Sequence, residues 1–502
     1  MKRSSGVLLP VFSLPSPYGI GTFGKEAYRW VEDLYYCKQN YWQILPLGPT
    51  GYGDSPYQSF SAFAGNPYFI DLDILCEEGL LKKKNFETIN WGSSDGRVDY
   101  DALYSHREGV LRKAFSRFED EKALDDFRER NSWFEDYGLF MAIKKAQGQR
   151  SWLEWDEPLR LREPGAISLV KEELADDIRY HAFVQYQFQK QWLALKKDAN
   201  EKEVEIIGDI PIYVSLDSAD VWANPEMFQL DENLVPREIS GCPPDGFSES
   251  GQVWGNPLYD WALMAETGFE WWIKRLRFNF EMFDVVRIDH FRGFEGYFAI
   301  PYGAETAGGG HWEPGPGLAF IEAVKEALPD ARIIAENLGF LTDGVNELLE
   351  ASGYMGMKIV QFAFDSRSSE NDGPETYTEN TVVYTGTHDN DTIKGWSRTA
   401  PPASVKTAMK HFKIWSKNRL SAAMINLAMG SRALLVIIPM QEWLELGSEA
   451  RINTPSTLGG NNWRWRLTQK LLQPWIFGSI ATMTKFYLRT EVEPEVKKRR
   501  FL

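Results

Sequence analysis

The sequence has few cysteines and histidines, and this scarcity excludes several classes of site. Its 502 residues include 3 Cys and 6 His. Cys37, Cys76 and Cys242 are odd in number and widely spaced, which indicates no disulfide framework and is typical of a reducing compartment. The histidines show no metal-ligand spacing such as H-E-x-x-H. We therefore expect no disulfide, no bound metal and a cytoplasmic location.

Long apolar runs and an excess of positive charge are also missing. No stretch approaches the roughly 18 apolar residues of a membrane span, and the apolar part of segment 1–10 is too short for a signal peptide. The formal net charge of −16 leaves no basic excess to neutralise phosphates. The charge therefore argues against nucleic acid and anionic membranes as partners, whereas a neutral ligand is compatible with it.

Aromatic residues, by contrast, are abundant: 19 Trp, 21 Tyr and 30 Phe. A large core accounts for most of them, but several lie in Gly/Pro-rich loops at 48–67 and 215–260. Long irregular loops are usually functional or disordered, and the aromatics favour function. We expect the first loop at the mouth of a site, with Tyr57 as a stacking platform, and the second as a lid carrying Trp254. The alternative for the first loop is a packed loop without a binding role. The alternative for the second is a surface loop without a function.

Segment 284–294 carries the strongest catalytic signal. Its apolar, β-branched residues predict a buried strand, in which side chains alternate between two faces. Arg287 and Asp289 therefore share one face. A neighbouring cation favours an ionised carboxylate, and an ionised carboxylate at a strand end is suited to nucleophilic attack. A structural Arg–Asp pair is the alternative, and this segment by itself does not distinguish the two.

Three further apolar runs each deliver a carboxylate at or near a strand end. They are 206–214 with Asp209, 333–339 with Glu336, and 382–391 with Asp389. Catalytic residues drawn from the ends of several strands are typical of a (β/α)8 barrel. The runs therefore point to a barrel with acids on one face.

The number of predicted strands fits the same fold class. Apolar runs occur near residues 7, 43, 206, 286, 334, 359, 383 and 435, and helical patterns separate most of them. We predict an α/β protein, a (β/α)8 TIM barrel formed by a single catalytic domain over 1–502. Because a typical barrel has about 250 residues, we assign the excess to insertions at about 68–165, which is helical, and 215–260, which is lid-like.

Paired carboxylates across one site are the equipment of glycoside chemistry. Asp289, beside Arg287, suits a nucleophile. Glu336 suits an acid/base, because an apolar strand end raises a carboxyl pKa. Asp389, next to His388, could hold ring hydroxyls and stabilise positive charge. The acids could instead bind Mg²⁺ in an enolase-like barrel, but the flanking loops are aromatic rather than phosphate-binding.

Six motifs spread over nearly the whole chain carry a family resemblance. They are Ser-Pro-Tyr-Gln-Ser with Ala-Gly-Asn-Pro (55–67), Gly-Asp-Ile-Pro-Ile-Tyr-Val (208–214), Trp-Gly-Asn-Pro-Leu-Tyr (254–259), Arg-Ile-Asp-His-Phe-Arg-Gly (287–293), Ala-Glu-Asn-Leu-Gly (335–339) and Thr-Gly-Thr-His-Asp-Asn-Asp-Thr (385–392). Together they resemble the 4-alpha-glucanotransferases (amylomaltases, or disproportionating enzymes) of glycoside hydrolase family 77, relatives of the α-amylases.

The resemblance implies a retaining 4-alpha-glucanotransferase that needs no metal or organic cofactor. Such an enzyme passes a segment of a 1,4-α-D-glucan to the 4-hydroxyl of an acceptor through a covalent glucosyl-enzyme intermediate. Its expected partners are maltooligosaccharides, starch- or glycogen-derived glucans and glucose. The resemblance makes Asp289 the nucleophile, Glu336 the acid/base and Asp389 the transition-state stabiliser. The implied sugar contacts are Tyr57, Asp209, Trp254, Asn256, Arg287, His290, His388 and Asn462.

Two positions depart from the family pattern. Glu442 stands where Asp is expected, and Gly246 stands at the lid tip where a larger residue is usual. The second departure could loosen the lid and alter the balance between transfer and hydrolysis. An α-amylase-like retaining hydrolase is the alternative function, since it would use the same acids. An inactive glucan-binding scaffold is a third, disfavoured because all three acids are present.

Overall fold

The computed structural model describes residues 2–244, 248–339, 341–368 and 373–490. The predicted lid tip at Gly246 lies outside these ranges. None of the helices in them combines the length and apolar character that crossing a membrane requires.

Twelve strands lie in the described residues. They are β1 Ser4–Leu8, β2 Tyr41–Gln43, β3 Glu205–Ile210, β4 Glu238–Cys242, β5 Gln252–Pro257, β6 Val285–Ile288, β7 Gly296–Pro301, β8 His311–Pro314, β9 Ile333–Ala335, β10 Met355–Ile359, β11 Thr381–Tyr384 and β12 Leu435–Pro439.

Eight of these strands form a closed parallel barrel. Their order is β1-β2-β3-β6-β9-β10-β11-β12, and β12 pairs with β1 to close the ring. Each of the eight predicted apolar runs falls in one barrel strand. The predicted (β/α)8 fold class is therefore confirmed.

The barrel interior is a packed apolar core rather than a channel. Alternate residues of the strands point inward, because side chains in a strand alternate. These inward residues are almost fully buried and include Leu8, Ile207, Val285, Ile334, Met357, Val382 and Ile437. The acids at the strand ends therefore stand on a rigid base.

Eighteen α-helices accompany the strands in the described residues. They are α1 Lys25–Tyr36, α2 Leu72–Glu77, α3 Tyr100–Phe115, α4 Glu121–Arg130, α5 Phe134–Ala146, α6 Glu157–Arg160, α7 Pro164–Glu173, α8 Ala175–Glu201, α9 Ala219–Ala223, α10 Trp261–Glu266, α11 Glu270–Met282, α12 Gly317–Ala327, α13 Asp343–Ser352, α14 Ile393–Thr399, α15 Pro402–His411, α16 Leu420–Gly430, α17 Met440–Trp443 and α18 Pro474–Phe486.

The long connection between β2 and β3 is helical and contains α2 to α8. Helix α8 spans 27 residues and fixes the aromatic loop at 48–67. The buried Gln185 amide donates to the Gly65 carbonyl at 2.8 Å and accepts the Gly65 N–H at 2.7 Å. Both polar groups of this loop residue are thus satisfied away from water. The division of the chain into insertions at 68–165 and 215–260 stays a prediction.

A second, four-stranded antiparallel sheet lies outside the barrel, in the order β5-β4-β7-β8. Strands β4 and β5 occupy part of the 215–260 segment, where the sequence predicted loops. Strands β7 and β8 flank the glycine-rich segment 302–310 and follow β6 closely in the chain. The sheet therefore joins two separate connections of the barrel.

Candidate active site

The four predicted acids gather at one end of the barrel. Asp209 lies in β3, and the other three follow the carboxyl ends of neighbouring strands: Asp289 after β6, Glu336 after β9 and Asp389 after β11. Parallel strands bring their carboxyl ends to the same face of a barrel. The structure thus brings these predicted residues together.

Arg287 connects three of these acids. Its Nη1 lies 2.6 Å from Asp209 Oδ2 and 3.0 Å from Asp289 Oδ1, and its Nη2 lies 3.6 Å from Glu336 Oε2. The arginine side chain is only 2% exposed. Charges this close interact strongly in a buried environment of low dielectric constant. The guanidinium therefore fixes the relative positions of all three carboxyl groups.

The charges in this cluster depend on one another. Burial by itself would lower the pKa of Arg287, but Asp209, Asp289 and Glu336 raise it well above its usual value. Burial raises the pKa of Asp209, and the positive charge of Arg287 opposes that rise. Arg287 is therefore permanently charged.

Asp289 and Glu336 form a coupled pair of carboxyl groups. Burial and the negative charge of Glu336 raise the pKa of Asp289, and a side-chain hydrogen bond between the two adds to the rise. Burial likewise raises the pKa of Glu336, against the charge of Arg287 and a hydrogen bond from the His290 backbone N–H. Two buried carboxyl groups that repel each other when both are ionised favour sharing one proton, so we expect the pair to hold one proton near neutral pH.

A bound substrate would separate Asp289 and Glu336, and the shared proton would then belong to one of them. Arg287 lies closer to Asp289, at 3.0 Å, than to Glu336, at 3.6 Å. A nearer cation favours the ionised form. Without substrate, burial and the charge of Glu336 raise the pKa of Asp289 to about 8. We expect the proton to pass to Glu336 once a sugar separates the pair, which leaves Asp289 ionised as a nucleophile requires.

Asp389 is the most open of the three predicted catalytic acids, with 40% of its side chain exposed. Asn453 Nδ2 donates to Asp389 Oδ1 at 2.6 Å, and Arg451 donates to the Asp389 backbone carbonyl. Both residues come from the segment that follows α17. Neither residue was predicted, because an Asn and an Arg in a loop form no motif.

His388 and Tyr57 stack on one another beside the acids. Their ring centroids are 5.3 Å apart, with 13° between the planes. Burial lowers the pKa of His388, so its ring is neutral near pH 7. Tyr57 donates its hydroxyl to Asp209 Oδ2 at 2.8 Å. Both predicted residues therefore lie at the site.

Asp209 itself is enclosed. Its side chain has no exposed surface, and its oxygens accept hydrogen bonds from Arg287 and Tyr57. The predicted direct sugar contact of Asp209 stays a prediction. Its contacts support a different role, which is to hold Arg287 and Tyr57 in place.

Trp254 and His290 form the other side of the site. Their rings meet edge to face at 4.7 Å. Burial lowers the pKa of His290 to about 3, so this ring is neutral too. Asn256 lies nearby on β5 but is 5% exposed, and its amide donates to the Val214 carbonyl at 2.8 Å. Asn256 therefore braces β5 against the end of the β3 segment.

Asn462 is the predicted contact with the weakest support from the geometry. It is 5% exposed. Its amide accepts from the Thr454 N–H at 3.0 Å and donates to the Thr457 carbonyl at 3.0 Å. These bonds lie within its own loop, so Asn462 shapes the segment that carries Asn453.

Among the described residues, no group of three or more His, Cys, Asp or Glu side chains could hold a metal ion. No disulfide joins Cys37, Cys76 and Cys242 to one another.

Glu442, the departure noted in the sequence, is a buried acid below the Asp389 loop. It is 2% exposed, and its Oε1 accepts the Ile393 N–H at 2.9 Å. Burial raises the pKa of Glu442 to about 8, the Ile393 bond opposes this, and the charge of Asp391 adds to it. The side chain is therefore neutral at pH 7 in the folded protein.

This shift makes stability depend on pH. Between the ordinary glutamate pKa and about 8, the folded chain holds a proton that the unfolded chain has lost, so stability falls as pH rises through that window. Glu442→Gln removes the titration. We compare the free energy of unfolding of the variant with that of the parent by urea unfolding. The difference in favour of the variant should be about 2 to 4 kcal/mol larger at pH 8 than at pH 5. Parallel stability curves for the two proteins would contradict this assignment.

Comparisons with known proteins agree with this geometry. The family model described as 4-alpha-glucanotransferase matches residues 9–472. A 4-alpha-glucanotransferase of Streptococcus pneumoniae is 48% identical over 498 residues, covering 97% of this chain and 98% of that protein. A 4-alpha-glucanotransferase of Clostridium butyricum is 46% identical over 486 residues, covering 96% and 100%.

A solved structure shows the same similarity. An amylomaltase from Streptococcus agalactiae, in complex with acarbose, has a TM-score of 0.94 and 41% identity, covering 97% of this chain and 100% of that chain. With the family model and the two relatives, these matches show that the chain belongs to the 4-alpha-glucanotransferase family.

Proposed function

We propose that this 4-alpha-glucanotransferase acts through a covalent glucosyl-enzyme intermediate on Asp289. The Arg287 cluster carries the proposal. Its buried guanidinium lies 3.0 Å from Asp289 Oδ1 and 3.6 Å from Glu336 Oε2. Two carboxyl groups held by one guanidinium are compatible with the short separation of acids that a retaining reaction uses.

The first step cleaves the donor glucan. An Asp289 carboxylate oxygen attacks the anomeric carbon, and the bond from that carbon to the leaving 4-oxygen breaks. Glu336 donates its proton to this oxygen, which becomes the 4-hydroxyl of the departing part of the donor. The new ester links the retained glucanyl segment to Asp289, with Glu336 now ionised.

The second step reverses the roles. The Glu336 carboxylate takes the proton from the 4-hydroxyl of an acceptor, whose oxygen attacks the same anomeric carbon. The ester bond breaks, and Asp289 is again a free carboxylate beside Arg287. Two inversions leave the new linkage in the α configuration, so donor and product have the same bond type.

Asp389 stabilises the positive charge that develops at the sugar ring. Its 40% exposure allows contact with the substrate, and the Asn453 hydrogen bond at 2.6 Å fixes one of its oxygens. A preorganised charge of this kind acts without reorganisation cost at the moment of reaction. Tyr57, Trp254, His290 and His388 surround the acids as neutral rings that suit sugar faces and hydroxyls.

The substrates we propose are neutral: maltooligosaccharides and starch- or glycogen-derived α-1,4-glucans as donors, and glucose or a glucan as acceptor. The net charge of −16 does not oppose such ligands. A cytoplasmic location belongs to the same proposal, supported by three cysteines that form no disulfide with one another.

Replacing the nucleophile tests this function. The pure protein is incubated with maltotriose and the products are resolved by chain length. We expect glucose and a ladder of longer oligomers from the parent, and a loss of at least about 1,000-fold in rate from Asp289→Asn with an unchanged melting temperature. Retained activity in the variant would refute the nucleophile assignment. Glucose and maltose alone, with rising reducing ends, would favour the hydrolase.

Asn453 and Asn462 form a matched pair for the role of Asp389. Asn453→Ala removes the hydrogen bond to the acid, and we expect kcat with maltotriose to fall about 10- to 100-fold, since bonds to charged groups contribute about 1.5 to 3 kcal/mol. Asn462→Ala should act mainly on the melting temperature, because its bonds lie within the loop. A larger loss of kcat from Asn462→Ala than from Asn453→Ala would contradict the assignment.

A further inference from the structure

Trp312, on β8, occupies a position to which the transfer reaction gives no role. We propose that it is the platform of an additional glucan-binding site, which holds part of a long α-1,4-glucan chain outside the catalytic cleft. The inference rests on the proposed function and adds to it a preference for longer chains.

Two neighbouring side chains hold the ring of Trp312 in place, one on its face and one at its edge. The Arg292 guanidinium carbon lies 3.8 Å from the ring centroid. Phe298, the cross-strand neighbour on β7, meets Trp312 edge to face at 5.1 Å. One face of the ring is covered, one edge is packed, and 39% of the residue is exposed; we assign this exposed surface to the opposite face. A ring held in place before binding loses little freedom when a ligand arrives.

The platform adjoins the catalytic loop. Arg292 belongs to the short turn Phe291–Phe294, which directly follows Asp289 and His290. Trp254 contacts His290 at 4.7 Å, and Trp312 stacks on Arg292. Two tryptophans thus contact the few residues that follow the nucleophile, one at the site and one beyond it. A glucan that leaves the cleft on this side would meet the second.

The chemistry of this surface suits a neutral sugar polymer. A glucose ring presents an apolar C–H face that packs on an aromatic ring, and Trp offers the largest such area. Strand β8 is the last strand of its sheet, so its outer edge presents backbone N–H and C=O groups to hydroxyls.

Chain-length dependence tests the site. kcat/KM is measured with maltotriose and with maltoheptaose for Trp312→Ala, Trp312→Phe and the control Trp415→Ala, whose ring is 98% exposed on another part of the surface. For Trp312→Ala we expect the loss with maltoheptaose to exceed the loss with maltotriose about three- to tenfold. Trp312→Phe should recover much of it, and Trp415→Ala should treat both substrates alike.

A purely structural role for Trp312 gives a different result. If the ring only covers Arg292, both substrates lose activity equally and the melting temperature falls, which would overturn the proposal. Equal, unchanged activity with both substrates would overturn it too. Failure of the parent protein to disproportionate maltotriose would instead refute the proposed function.

A second measurement needs no folded Trp312→Ala protein. Hydroxyl-radical oxidation of Trp312 is followed by mass spectrometry in Asp289→Asn, with maltoheptaose or with glucose. Protection by maltoheptaose and little by glucose is the expected result. Absence of protection by maltoheptaose would contradict the site.

Discussion

The ion cluster around Arg287 is the interaction on which the rest of the site depends. A guanidinium that is 2% exposed is stable only with partners, and Asp209, Asp289 and Glu336 supply them. Without the cation, three carboxyl groups in one small volume would repel or take up protons. The guanidinium and the carboxyl groups therefore require each other. The charge state of Asp289 depends on the balance between the charge of Arg287, the charge of Glu336 and burial.

Strand register sets the cluster. Asp209 on β3 pairs directly with Arg287 on β6, and Ala335, just before Glu336, pairs with Ile288, just before Asp289. A slip of one residue would turn each side chain to the opposite face, so the apolar barrel interior that fixes the register also fixes the chemistry. The loops add what the strands cannot: Tyr57 covers the cluster.

The sequence was most informative where apolar runs end in acids. The eight strands, the closed barrel and the gathering of Asp289, Glu336 and Asp389 at one face could be predicted, because strand periodicity and strand ends are local signals. Asn453 could not, since its contact with Asp389 depends on how a distant loop folds back. The second sheet was also missed, because β4 and β7 come from separate connections and their pairing has no local signature. Asn256 was singled out within a motif and Asn462 through the family resemblance. Their roles as sugar contacts stay predictions, and the structure shows both amides hydrogen-bonded to the protein's own backbone.

Trapping the covalent intermediate would show whether Asp289 is the nucleophile. The protein is incubated with a fluorinated α-glucosyl fluoride, which forms the ester faster than it is released, and the labelled peptide is identified by mass spectrometry. We expect one glucosyl group per chain, attached to Asp289. A label on Glu336 or Asp389, or no label while the analogue is consumed, would contradict it.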